Sequence, residues 1–173
     1  MGITEHFITE EAKFNVLTEV CSFINSSMPH EQQLQAIVEA ANKLIGVKDS
    51  SLILIDEPAK LLYFHVATGE KSQEIRKLTL EPGEGIAGWV IEHGTPLAVP
   101  DTSQDPRFSP RIGEILHFET KSILCVPIRS GSKIIGAFEV LNRLDGRRFD
   151  EKDLPLLTAF VALIRMVLEN SQH

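Results

Sequence analysis

The stretch LTLEPGEGIAGWVIEHG, residues 78–94, places Gly83, Gly85 and Gly88 in the spacing G-x-G-x-x-G. That spacing can press backbone N–H groups and a helix N-terminus against a pyrophosphate. The chemistry needs a continuously apolar parallel strand before the glycines and a second one after the helix. Here the preceding IRKLTL alternates with charges and no parallel strand returns. The glycines read instead as a turn at Gly83 and Gly85, with Gly88 letting a short helix approach a neighbouring backbone. Nucleophilic and metal chemistry find little support. Cys21 and Cys125 stand far apart in apolar surroundings, as buried thiols do. His65, His93 and His117 make no metal-ligand spacing. The segment around residues 101–120 is richer. Asp101, Asp105, Arg107, Phe108, Phe118 and Thr120 mix charge, hydroxyl and aromatic groups beside apolar strands, the mixture a small-molecule site uses. Asp101 and Asp105 precede Thr102 and Pro106, so they can equally cap turns. Trp89, on the short helix, fits a core position as well as a ligand platform.

The elements that must hold these residues follow from periodicity. Residues 12–28 carry one stripe of Phe14, Leu17, Cys21, Ile24 and Met28 and another of Val16, Val20 and Phe23, both at helical spacing. After Pro29 an amphipathic helix runs to Gly46. Residues 51–56 and 60–67 read as a hairpin, and 75–80 as a third strand. The glycine-rich helix is confined to about 85–93 by Gly94 and Pro96. A loop with short helical pieces spans 101–119. Strands at 122–128 and 133–141 flank a turn at 129–132, and a last helix covers about 150–169. This order predicts an α+β chain on an antiparallel sheet.

Composition bounds the function. The 173 residues have the length of one domain, and 43% hydrophobic with 24% charged residues is the balance of an ordinary folded protein. The net charge of −7 argues against nucleic acid, because Arg143, Arg147 and Arg148 form the one basic cluster. The apolar runs are too short to span a bilayer, and with no leader pattern a cytoplasmic location is the default expectation. Leu154, Leu157, Val161, Ile164 and Leu168 form one apolar stripe of the last helix; Leu156, Phe160, Leu163 and Val167 form a second. Two stripes on each terminal helix predict that one covers the sheet while the other meets a second copy of the chain.

Four stretches in order, GEGIAGWVIEHGTPLAVPDTSQDPRF, SILCVPI, IIGAFEVLN and FDEKDLPLL, resemble a GAF domain. The resemblance implies a sheet of five or six antiparallel strands, with terminal helices on one face and a small-molecule pocket on the other. The chain reads as a single domain over 1–173, made of an N-terminal dimerisation helix (1–28), a core (30–149) and a C-terminal helix (150–173); the resemblance covers it from about Leu34 to Leu168. The resemblance further implies a sensor module, not an enzyme, that regulates an attached or associated effector; a ligand-free dimerisation module is the alternative, and a free methionine sulfoxide reductase a second. The expected pocket is bounded by Ile86, Trp89, Asp101, Phe108, Ile112, Phe118, Ser122 and Phe138. Acidic ligands would meet the helix N-terminus near Gly85, with Arg107 as counter-charge. The ligand stays open; cyclic nucleotides are among the family's ligands, whereas residues 101–119 contain no cysteine to hold a bilin. Finally, Asn142, Arg143, Phe149 and Asp153, as N-R-x5-F-x3-D, resemble a signature of phosphodiesterase GAF domains in which Lys and a terminal Glu stand where this chain has Arg143 and Leu154. An Arg143–Asp153 clasp between the last strand and the last helix is the resulting expectation.

Overall fold

A computed structural model describes residues 9–24 and 26–171. The outer parts of the expected terminal helices, residues 1–8, 25, 172 and 173, lie outside the described residues. In chain order the elements are α1 (Glu10–Ile24), α2 (His30–Ile45), β1 (Asp49–Asp56), β2 (Leu61–Ala67), α3 (Ser72–Ile75), β3 (Thr79–Leu80), α4 (Gly85–His93), β4 (Leu97–Val99), α5 (Arg111–Leu116), β5 (Ile123–Ser130), β6 (Lys133–Leu141) and α6 (Leu154–Asn170). The strands form one sheet in the order β3-β2-β1-β6-β5-β4, every neighbouring pair antiparallel. This is an α+β fold with six strands.

Strand alternation divides the core into two layers. On one face Leu52, Leu124, Val126, Phe138 and Val140 pack beneath α2 and α6, which lie against each other, α6 over β5 and α2 over β1 and β2. On the other face Ile53, Phe64, Ile123, Cys125 and Ala137 pack beneath α4. A bulge between Leu52 and Ile53 leaves His65 without a partner in the register, so Val66 joins the helix side while Phe64 joins the α4 side. His65 then reaches Glu31 of α2, with Nε2 3.0 Å from Oε1.

Besides the first helix, which ends at Ile24 and leaves residues 26–28 outside it, two sequence expectations change. The strand expected over 75–80 is cut to Thr79–Leu80, because Ile75 closes the short helix α3 and the Leu78 N–H bonds to the Ile75 carbonyl. The spacing of Ile75 and Leu78 is that of a helical turn, and it brings both against the α4-side core. The second correction concerns α6. Phe160 and Val167 of its second stripe are buried together with Leu157, Val161, Ile164 and Leu168 of the first, while Leu156 and Leu163 pack at the edge of the same core. Packed on the sheet beside α2, α6 uses most of its apolar surface within its own chain. Helix α1 differs: Val20 is buried and Val16 and Ile24 pack on the core, whereas Phe14 and Leu17 remain 70% and 42% exposed.

Candidate functional site

The three glycines build the roof of a cavity. Gly83 and Gly85 both have positive φ, 79° and 70°, which only glycine adopts cheaply, and they turn the chain into α4. Gly88 sits on the backbone of Gly83, where a Cβ would lie 2.6 Å from the Gly83 carbonyl carbon. The phosphate-loop spacing therefore serves a turn and a close helix approach. Glu84 opens α4, its Oε1 accepting the Glu81 N–H at 3.1 Å. Arg111 of α5 donates to Glu84 Oε2 at 2.7 Å and to the Thr79 carbonyl at 2.6 Å, strapping α5 across the start of α4. Burial pushes the Glu84 carboxyl up, but the Arg111 guanidinium and the Glu81 N–H outweigh it and hold Glu84 below the usual range.

Beneath this roof lies a cavity with about 90 Å³ of room for water centres. Its floor is the α4 face of the sheet. Ser51 pairs with Glu139, Glu139 with Cys125, and Asp49 with Leu141, so Asp49, Ser51, Glu139 and Leu141 lie side by side beneath it. Residues 85–87 of α4 border it from above, Phe108, Ile112 and Phe118 from the loop and α5, and Thr68, Lys71 and Ile75 from the far end. Burial pushes the Glu139 carboxyl up to about 7. Burial also raises Asp49, despite the opposing charge of Lys48. Cys125 is fully buried, and burial together with the Glu139 charge raises its thiol well above the ordinary range. A thiol so held stays protonated and is a poor nucleophile.

Among the residues expected at the pocket, Ile86, Phe108, Ile112 and Phe118 line the cavity. The others do not. Phe138 is 0% exposed on the opposite face, one residue out of phase with Glu139. Ser122 is buried in the frame: its hydroxyl donates to the Val99 carbonyl at 3.1 Å and accepts the Phe149 N–H at 2.9 Å. Asp101 caps a 3-10 turn at Thr102–Gln104, accepting the Ser103 N–H at 3.0 Å and its hydroxyl at 2.6 Å, bonds that hold its carboxyl below the usual range. Arg107 is no free counter-charge, because Asp105 engages it through Nε at 2.9 Å and Nη2 at 2.6 Å. Its guanidinium also lies 4.7 Å from the Trp89 ring centroid, while His93 stacks on that ring at 4.1 Å. Trp89 thus has neighbours of its own on the outer side of α4.

Sequence reasoning missed Asp49, Glu139, Lys71, Glu84 and Arg111. A signal existed for one of them: Glu139 is a lone charge inside the apolar strand KIIGAFEVL, and such residues are rarely buried without purpose. At the far end of β6 the expected quartet meets. Arg143 Nη1 lies 3.3 Å from Asp153 Oδ1, and its Nη2 lies 2.9 Å from Asp145 Oδ2. The Arg143 Cζ stands 6.0 Å from the ring centroid of buried Phe149. Asn142, at φ 54°, accepts the Lys121 N–H at 2.7 Å and donates to the Glu119 carbonyl at 2.9 Å.

A six-stranded antiparallel sheet with helices on one face and a helix-roofed cavity on the other is the architecture of a known class, and comparison with known proteins names it. The family model described as "GAF domain" matches residues 29–168, and the chain belongs to this family. A curated relative, "Dual 3',5'-cyclic-AMP and -GMP phosphodiesterase 11" of Drosophila melanogaster, is 34% identical over 107 residues, 61% of this chain and 7% of the relative. The chain thus matches a small part of that protein. Among solved structures, the GAF domain from a Coxiella burnetii phosphoenolpyruvate-protein phosphotransferase superposes with a TM-score of 0.80 at 20% identity, covering 92% of this chain and 94% of that one. A free methionine-R-sulfoxide reductase from Neisseria meningitidis, in complex with its substrate, gives 0.75 at 18% identity over 94% and 91%. At such identities the likeness is one of fold. No described helix is long and apolar enough to cross a membrane.

Proposed function

We propose that this chain is a cytoplasmic sensor module that binds a small molecule in the cavity under α4 and passes the change to an effector, attached or associated. The observation that carries this reading is the cavity itself, whose floor and walls hold acidic, basic and hydroxyl groups among apolar ones, the composition of a recognition site. The Arg143–Asp153 contact links the segment after β6 to the 3-10 turn that leads into α6, a route from the sheet to the helical face. The exposed Phe14 and Leu17 of α1 suit contact with a second copy, making the module a homodimer. The neutral thiol of Cys125 favours the sensor over the reductase reading. The Drosophila relative is named for cyclic nucleotides, so these belong in any ligand screen.

The test is a thermal-shift screen with cyclic AMP, cyclic GMP, free amino acids and 2-oxo acids. A ligand present at about a hundred times its dissociation constant stabilises the native state by about 2.7 kcal/mol. The expected result is a shift with one class, abolished by Ile112→Trp, which fills the cavity from α5. No shift with any class at millimolar concentration would favour the ligand-free dimerisation reading.

A further inference from the structure

Two carboxyl groups in the cavity floor make no hydrogen bond or ion pair among the described residues, though the charges of Lys48 and Glu70 act on Asp49. Asp49 is 8% exposed and Glu139 is half-buried in the central strand β6, flanked by β1 and β5. Both line the cavity. A buried carboxylate is costly unless a donor or a positive charge answers it, and a protein that needed only a filled core would place apolar groups here. The two acids stand on one face of paired strands. Asp49 is opposite Leu141 and Glu139 is two residues earlier on β6, a diagonal relationship of roughly 7–8 Å between Cα atoms. The Asp49 carboxylate lies beside Gly69, at the far end of the floor from α5.

We propose that the cavity recognises a primary ammonium group seated between Glu139 and Asp49, so that its ligand is a small amine of amino-acid size. The inference rests on the cavity being a ligand site. An ammonium offers three N–H donors and needs no acceptor, which matches a floor of acceptors: two carboxyls, with the Ser51 hydroxyl beside Glu139. The size follows from the volume. The cavity has about 90 Å³ of room for water centres, space for several waters, and a ligand the size of a free amino acid fits it. The opposite polarity lies elsewhere on the wall. Lys71 has no ion pair among the described residues, and residues 85–87 at the uncapped N-terminus of α4 border the cavity, giving a carboxylate on the same ligand a favourable side.

The other groups around Glu139 leave it as the titrating partner. Cys125 on β5 is a protonated thiol, Glu84 at the start of α4 is held by Arg111, Lys71 on the far wall is cationic, and Asp49 shares the floor. Because the Glu139 carboxyl titrates near neutrality, an ammonium that binds its charged form displaces a proton. Affinity therefore rises with pH through about 7, up to the pH at which the amine itself loses its charge.

The experiment is calorimetric titration of the full chain at pH 8 with free L-amino acids, each beside the 2-oxo acid of the same side chain. The expected result is that an amino acid binds at least tenfold more tightly than its 2-oxo acid, and that Glu139→Gln and Asp49→Asn each weaken it at least tenfold. Repeating the wild-type titration at pH 6.5 in buffers of different ionisation heat should show proton release. Equal binding of the 2-oxo acid, or binding of cyclic AMP or cyclic GMP with no loss in Glu139→Gln, would overturn the ammonium site and leave the sensor reading standing. No binding by any of these probes would overturn both. The comparison of amine with 2-oxo acid uses the wild-type chain, so it stands even if a variant fails to fold.

Discussion

Asp153 uses its two carboxylate oxygens for two different elements: Oδ1 lies 3.3 Å from Arg143 Nη1 beyond the end of β6, and Oδ2 accepts the Asp150 N–H at 3.0 Å. Asp150 in turn caps the 3-10 turn that leads into α6, completing a reciprocal capping box. Arg143 is shared with Asp145, and Arg143 and Asp153 are 23% and 27% exposed. The pair energy should therefore be modest. Asp153→Ala is expected to cost about 1 kcal/mol, mostly through the lost cap, and the double-mutant coupling with Arg143→Ala to reach about 0.5 kcal/mol, shrinking in high salt. Urea midpoints of the four proteins measure this; strictly additive losses would show that the contact carries no energy.

Glu139 gives stability an unusual pH dependence. Its folded-state carboxyl titrates near 7 against 4.5 when unfolded, so between these values the folded chain holds the extra proton. Stability on this account is highest below about 4.5, falls as pH rises, and levels off above about 7. Glu139→Gln should abolish that slope, leaving the variant equal to wild type at pH 4 and up to about 3 kcal/mol more stable at pH 8. Denaturation at pH 4, 6 and 8 decides; a variant less stable at pH 8 would mean that the carboxylate has found a partner.

In an open helix Gly→Ala stabilises by about 1 kcal/mol. Gly88→Ala should do the reverse, because the new Cβ would meet three backbone atoms of Gly83, at 2.6, 3.1 and 3.2 Å, and backbone cannot step aside as a side-chain tip can. A loss of about 1–3 kcal/mol is expected. A midpoint equal to or above that of wild type would show that the turn at Gly83 yields.

Ser122 holds Phe149 by a single hydrogen bond in a buried place. Ser122→Ala leaves that N–H, and the Val99 carbonyl, unanswered, at about 1–3 kcal/mol. Hydrogen exchange at the Phe149 amide should accelerate with it. Unchanged protection at Phe149 would mean that another acceptor takes over.

The exposed stripe of α1 predicts association. At roughly 50 μM the chain should sediment as a dimer, and Leu17→Glu, on the exposed side of the helix, should make it a monomer without lowering its unfolding temperature at low concentration. A wild-type monomer at that concentration would remove the dimer.

Local signals were enough for much of this chain. The 3.6-residue period after Pro29 and the glycine at position 46 mark α2, Gly85 to His93 is bounded by its own breakers, and the apolar runs of β1, β2, β5 and β6 stand out against polar turns, because helix and turn propensities act over a few residues. The phase of each strand was another matter. Whether Phe138 or Glu139 faces the cavity depends on which layer lies over which face of the sheet, and that is settled by α2 and α6 packing from distant parts of the chain. The bulge that sets His65 apart has the same origin, since it is defined only against β1. The charges of the middle loop were legible as residues but not as a site, because Asp101 and Asp105 are taken up by Ser103 and Arg107, each two positions away. Asp49 and Glu139, which make no hydrogen bond or ion pair among the described residues, lie 90 positions apart, and pairing through β1 and β6 alone brings them onto one floor.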